Sequence, residues 1–373
     1  MVVKIADNIL SPLGMSTAEN YRAVKAGRSE LRRYEGMRGV SEPFVASLIS
    51  REGVSMEGPY TFFEKMVIAS ASQAIAQTGI DPSSPRVLFV LSTTKGNVHL
   101  LDTDLPEYNR DRALPGAAAI IIAQHFHNPN PPIVVSNACT SGVCALIAAM
   151  RLLEQEQYDY IVVSGADMQS PFIISGFQSF KALSPEPCRP FDKNRCGLNL
   201  GEAAATMILT RKKLSPDAQW TLVRGAIRND ANHISGPSRV GEGSFRALAA
   251  ALGDTIADDI AFVNAHGTAT PYNDEMESIA ITRAGLQSVP VNSLKGYYGH
   301  TMGAAGVLET IISMQAIEDH TILPTRGFET LGVTHPISVS ATAKYTDRNA
   351  FIKLLSGFGG CNAALLFRKE GTI

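Results

Sequence analysis

The sequence predicts an α/β fold built from two successive halves of similar size. Short, continuous apolar runs such as Ile133-Val134-Val135 and Tyr160-Ile161-Val162-Val163-Ser164-Gly165 read as strands. Helical stretches separate them, the pattern of parallel strands buried on both faces. The charged stretch Arg211–Asp217 interrupts the pattern, which then restarts. A length of 373 residues, 45% hydrophobic and 18% charged, supplies two or three units at about 150 residues per domain. The expected halves are residues 1–212 and 213–373, a duplicated unit without a visible sequence repeat.

The elements follow in order. To about Gly58 the chain reads as loops and short elements, with a helix near Ser16–Lys25 and a basic cluster of Arg28, Arg32 and Arg33. Between Tyr60 and Thr78, Phe63, Val67, Ala71, Ala74 and Ile75 recur at helical spacing. Arg86–Leu91 is a strand, Leu100–Arg112 a polar surface loop, and Pro115 opens a helix to about Phe126. Ile133–Val135 leads into an Ala-rich helix from Val143 to Leu153, and Tyr160–Gly165 is the next strand. Ala182–Leu200, with three prolines, is loop-like, and Ala203–Leu209 returns to strand. The second half reads as strand Trp220–Ile227, helix Gly243–Leu252 and strand Ile260–Asn264. Helices Asp274–Ala284 and Met302–Ile317 follow, then strands Ile352–Leu355 and Ala363–Leu366.

A net charge of −2 and a pI near 6.5 leave no basic footprint for nucleic acid. No apolar run reaches the roughly 18 residues of a membrane span, and the N-terminus lacks a secretory core. Five scattered cysteines (139, 144, 188, 196, 361) form neither a CxxC pair nor a disulfide framework. These features suggest a cytosolic protein with reduced thiols and no metal site.

Four stretches carry chemistry. In Asn137-Ala138-Cys139-Thr140-Ser141-Gly142 the cysteine sits at a strand-to-helix turn. The positive end of the helix there favours thiolate and is expected to lower the Cys139 pKa, although a free cysteine is as often a small buried hydrophobe. Asn264-Ala265-His266-Gly267-Thr268-Ala269-Thr270-Pro271 places a histidine at a strand's carboxyl end, where open α/β sheets bind ligands. A lone histidine is more often structural. Lys295-Gly296-Tyr297-Tyr298-Gly299-His300 places a second histidine before the small-residue run Met302-Gly303-Ala304-Ala305-Gly306. Ser356-Gly357-Phe358-Gly359-Gly360-Cys361-Asn362 is a glycine-rich turn whose backbone N–H groups are uncovered, or simply a tight hairpin. Together they offer a nucleophile, two donors and an oxyanion hole.

These motifs, with Cys188-Arg189-Pro190-Phe191-Asp192 running on to Gly201-Glu202, resemble the elongating β-ketoacyl–acyl-carrier-protein synthases. The resemblance runs from about Tyr60 to the C-terminus. It implies a thiolase-like fold, two pseudo-duplicated α/β halves in a five-layered αβαβα core. It further implies Cys139 as nucleophile, with His266, His300 and Lys295 completing the catalytic set and Lys295 paired with Glu277. Backbone N–H groups of Cys139 and Phe358 would form the oxyanion hole, with Phe358 as gate. Asp274, Glu277, Thr268, Thr270, Gly357 and Gly359 would support them. Lys65, Lys193 and Arg195 are candidates for docking an acyl-carrier protein. No resident cofactor is implied, since substrates ride on the carrier's phosphopantetheine arm. A homodimer is expected, or a heterodimer with a chain-length partner.

The implied reaction is decarboxylative condensation of a Cys139-bound acyl group with malonyl-acyl-carrier protein, in fatty acid or specialised polyene or polyketide synthesis. The alternatives are a chain-length-determining partner subunit, which would lack the nucleophile, and a coenzyme A-dependent thiolase. Several positions depart from the family pattern. Cys196 stands where Asp is common, Cys361 where Thr is usual, and Ala203 and Ala205 where a Gly is common. The segment between Thr93 and Pro115 is short.

Overall fold

The computed structural model describes residues 1–36, 40–54, 56–101, 108–211 and 219–370. Most of the expected joint at 211–217, and residues 102–107 of the expected polar loop, lie outside them. The first half runs β1 (Val2–Leu10), α1 (Thr17–Lys25), β2 (Arg32–Tyr34), β3 (Phe44–Ser47), α2 (Phe62–Ala76) and β4 (Val87–Ser92). It continues with α3 (Pro115–His125), β5 (Ile133–Val135), α4 (Ser141–Glu154), β6 (Tyr160–Asp167), α5 (Pro171–Ser179), β7 (Leu200–Gly201) and β8 (Ala203–Thr210). The second runs β9 (Gln219–Asn229), α6 (Glu242–Leu252), β10 (Ile260–Asn264), α7 (Pro271–Arg283), β11 (Pro290–Asn292) and α8 (Lys295–Tyr298). Then come α9 (Ala305–Glu318), β12 (Thr321–Ile322), β13 (Ser338–Val339), β14 (Lys344–Tyr345), β15 (Ala350–Gly357) and β16 (Cys361–Glu370).

The two halves share one strand plan. In the first the order is β5-β4-β6-β8-β1, and in the second β11-β10-β15-β16-β9, with β13 added outside β11. Orientations match as well. β4 is parallel to β5 and β6, while β8 runs antiparallel to β6 and β1. β10 is parallel to β11 and β15, while β16 runs antiparallel to β15 and β9. Val2–Lys4 of β1 pairs with Trp220–Leu222 of β9 and joins the halves edge to edge. The expected parallel strands are present in both halves, and antiparallel pairings of β8, β1, β16 and β9 make the whole sheet mixed.

β1 also overturns the reading of the N-terminal stretch as loops. Lys4, Asp7 and Asn8 break its apolar run, but each is satisfied in place. Lys4 pairs with Asp7, Thr17 Oγ1 donates to Asp7 at 2.7 Å, and Asn8 donates to the Met15 carbonyl at 3.2 Å. The expected first helix is α1, which Ser16 and Glu19 open with a reciprocal capping box.

Five layers result. α2 and α3 cover the outer face of the first half-sheet, and α6 and α7 that of the second. α4 and α9 lie between the half-sheets and pack on strands of both, in the largest core cluster. They approach closely where Gly142 meets Gly306. A methyl group on Gly306 would stand 2.4 Å from the Val143 nitrogen, so both positions need the bare backbone. Among the described residues no helix is long and apolar enough to cross a membrane.

Candidate active site

Each candidate group follows the carboxyl end of a strand: Cys139 after β5, His266 after β10, Lys295 and His300 after β11, and Phe358 after β15. Parallel strands align those ends, so the middle of the molecule collects side chains distant in sequence. The Cys139 sulfur and one ring nitrogen from each of His266 and His300 lie within 4.8 Å of one another, all buried. The three expected groups thus converge, and they also make a Cys-His-His set of a size suited to a soft metal ion.

The cysteine is held by backbone geometry. Ala138 has φ +46°, a conformation costly for a non-glycine residue, and Asn137 N–H and Ser141 Oγ close the turn at 2.8 Å. Gly357 presses on it from β15, where an added methyl would lie 3.0 Å from the Cys139 nitrogen. The turn does open a helix, as expected, yet the thiol is not activated at rest. Burial pushes it up to about 12, with Lys295 and Lys95 pulling the other way. This corrects the expectation of a lowered pKa, because an enclosed sulfur loses more from thiolate desolvation than nearby positive charge returns.

The histidines are held by polar contacts. His266 Nε2 lies 3.4 Å from His300 Nε2. His300 Nδ1 accepts the Met302 N–H at 3.2 Å, which leaves the ring proton of the neutral imidazole on Nε2, facing the pocket. His266 Nδ1 makes no hydrogen bond of ordinary geometry among the described residues. Burial, and then Lys295, hold both rings well below the usual histidine range. Both imidazoles are therefore neutral at physiological pH.

Lys295 does not pair with Glu277, as expected. Its ammonium binds Glu309 of α9. The Glu277 carboxylate is already occupied by the backbone N–H groups of His266 and Gly267, both at 2.7 Å, and by Asn273 at 2.8 Å. Burial and the neighbouring Asp274 push Glu277 up to about 7. Burial lifts Asp274 to about 6; it accepts the N–H groups of Phe191 and Ala269 and so ties the Pro190–Asp192 stretch to the His266 loop.

Sequence reasoning missed Glu309 and Lys353. Lys353, on β15, binds the second oxygen of Glu309 at 2.5 Å. Each is a lone charge in an apolar run, Leu308-Glu309-Thr310-Ile311 and Ile352-Lys353-Leu354, and that was the available signal.

A cavity of about 400 Å³ opens from Cys139, His266 and His300 past Thr268, Thr270 and Phe358. The Thr268 and Thr270 hydroxyls lie 2.9 Å apart on its wall. Phe358 is half-buried and packs against Phe177 and Phe180, with ring centroids at 5.9 and 5.4 Å. Gly359 beyond it has φ +83°. Lys65, Lys193 and Arg195 do not line this cavity. Lys65 is half-buried on α2 and Lys193 exposed, while Arg195 donates to the carbonyls of Asp192 and Gly332. The lysine on the cavity wall is Lys181, which the sequence reading passed over.

Comparison with known proteins agrees with this geometry. Residues 56–215 match the N-terminal domain of beta-ketoacyl synthase, and residues 221–329 its C-terminal domain. The chain is 29% identical to a 3-oxoacyl-[acyl-carrier-protein] synthase 2 of Vibrio cholerae over 99% of both chains. It is 30% identical to the ketoacyl synthase alpha subunit of the tetracenomycin polyketide synthase of Streptomyces glaucescens, covering 86% of this chain and 85% of that one. A ketosynthase solved in complex with its chain length factor, from Xenorhabdus doucetiae, superposes with a TM-score of 0.88 at 24% identity, over 99% of this chain and 98% of that one. With a duplicated five-layered core, a nucleophile turn facing two imidazoles and both domains matched in order, the chain belongs to the beta-ketoacyl synthase family.

Proposed function

We propose that this chain is a condensing acyltransferase that joins a Cys139-bound acyl group to a malonyl unit on an acyl-carrier protein, releasing carbon dioxide. The observation that carries this reading is the meeting of one sulfur and two neutral imidazoles within 4.8 Å at the end of a cavity of about 400 Å³. Residues 1–212 supply the nucleophile and residues 213–373 the imidazoles.

The thiol of Cys139 attacks the carrier thioester and its proton passes to an imidazole, which returns it to the departing carrier thiol. Backbone N–H groups of Cys139 and Phe358 receive the oxyanion. The malonyl thioester then enters past Thr268 and Thr270. Loss of its carboxylate leaves an enolate oxygen that accepts hydrogen bonds from the Nε2–H groups of His300 and His266. Neutral donors suit this step, since they stabilise the developing charge without being titrated by it. The enolate carbon attacks the acyl–Cys139 carbonyl, freeing the sulfur and giving a β-ketoacyl product two carbons longer.

Cys139 in place argues against a chain-length-determining subunit, and two imidazoles converging on it argue against a thiolase. The carrier approaches the cavity mouth at Lys181, and the chain works as a dimer with itself or with a chain-length partner. Incubation with acyl- and malonyl-carrier thioesters tests the reading by mass spectrometry. The expected result is an acyl adduct on Cys139 and a β-ketoacyl product, both lost in Cys139→Ala; absence of both in the wild type sinks it.

A further inference from the structure

Lys353 stands fully buried in the apolar strand β15, between Ile352 and Leu354. Its three N–H donors are all committed. One goes to Glu309 at 2.5 Å, one to Asn264 Oδ1 at 2.7 Å and one to the Ala265 carbonyl at 3.2 Å. The residue after Ala265 is His266, whose own N–H donates to Glu277 at 2.7 Å. The peptide unit between Ala265 and His266 is thus gripped at both ends, its oxygen by a cation and its N–H by an anion. This alignment follows the peptide dipole and is strong in a low-dielectric interior. Glu309 in turn binds Lys295, so two cations from β15 and α8 share one carboxylate from α9.

The placement asks for a reason. A buried cation is costly unless every donor is met, and Glu309 would be fully paired by Lys295 alone. What Lys353 adds, and Lys295 does not, is the contact with Asn264 and Ala265.

We infer that Lys353 is a positioning residue, which fixes the height and direction of the His266 imidazole by holding the Ala265–His266 peptide between itself and Glu277. The inference rests on the condensing reading and assigns to His266 the step most sensitive to placement, stabilisation of the malonyl-derived enolate. Cys139, anchored by the β5–α4 turn, is outside this grip. The groups acting on the two imidazoles are Cys139, Lys295 of α8 and Lys353 of β15, with Asn273 of α7 beside His266.

Lys353→Met keeps the length and apolar stem and removes the donors. Two half-reactions are followed in the full-length protein: acyl transfer to Cys139, and decarboxylation of malonyl-carrier thioester. A misplaced donor costs on the order of 10–100-fold, so decarboxylation is expected to fall by about that factor in kcat with little change in KM. Acyl transfer is expected to fall far less. Equal rates in wild type and variant, or an equal loss in both half-reactions alongside a lower melting temperature, would overturn the inference. Wild type unable to decarboxylate would instead overturn the condensing reading itself. Should the variant not fold, ¹⁵N NMR of the wild type decides. A slowly exchanging ammonium resonance coupled across hydrogen bonds to Asn264 and Ala265 supports the grip, and its absence refutes it.

Discussion

After β5 the chain turns through Ser136–Thr140 into α4; after β11, at the same station of the second half, it passes through α8 and Gly299–Ala304 into α9. Strand order, orientation and the helix that follows into the middle layer are alike. The means of holding the reactive group are not. Cys139 is placed by backbone: a positive φ at Ala138, the close pass of Gly357, and the Gly142–Gly306 crossing beneath. His300 and its neighbour His266 stand over a buried network of Lys295, Glu309, Lys353 and Glu277. The sulfur is fixed by backbone contacts, although the charges of Lys295 and Lys95 still reach it. Donors that must remain neutral yet favour a developing anion gain from fixed positive charge in the shell behind them.

Removing the anion that unites the network should break the charged side hardest. Glu309→Gln leaves two buried lysines short of a counter-charge, and loss of one partner from a buried pair costs about 3–5 kcal/mol. Urea unfolding should show a loss of that size. A loss under 1 kcal/mol would mean that the lysines are not held as described.

The backbone side is broken at the helix crossing. Gly306→Ala drives a methyl into the Val143 nitrogen, and overpacking of this kind costs about 1–3 kcal/mol. The same unfolding experiment should place it below Glu309→Gln, with acyl loading of Cys139 slowed because α4 must shift.

A pH series sharpens the contrast. Both imidazoles sit well below their ordinary range, so below about pH 6.5 the unfolded chain binds protons that the folded chain does not, and stability falls as pH falls. Glu277 and Asp274 act oppositely. Raised to about 7 and about 6, they contribute stability that is full below their unfolded values and lost as pH rises through the folded ones. Between pH 5 and 6 the two effects oppose. His300→Asn removes one acid-destabilising group, so its unfolding free energy should gain on the wild type by about 1 kcal/mol per pH unit on acidification. Parallel curves would show that His300 protonates normally.

The smallest effect lies at the cavity mouth. Lys181→Glu should raise the KM for carrier-bound substrate about two- to fivefold, as expected for an exposed charge pair. The difference should fade at high salt, while the same change at Lys65 should do less because that side chain lies away from the cavity.

Much of this was legible in the chain. The runs Arg86–Leu91, Tyr160–Gly165 and Ile260–Asn264 announce buried strands, and the helical spacing from Phe63 to Ile75 announces α2. β1 was hidden because Lys4, Asp7 and Asn8 look like loop residues until they meet one another, α1 and the turn before α1. Lys295 was assigned to Glu277 because both belong to the motif set; the actual partner, Glu309, sits inside an apolar helix without a motif.

What the sequence determined alone was local: a cysteine before a helix, two histidines and a glycine-rich turn at strand ends, spacings that neighbouring residues impose. The folded structure alone decided which charges meet and how dry they are. Lys353 reaches the Ala265 carbonyl across 88 positions of chain. Desolvation, which outweighs the nearby lysine charges at the Cys139 thiol, belongs to the assembled interior and to no stretch of sequence.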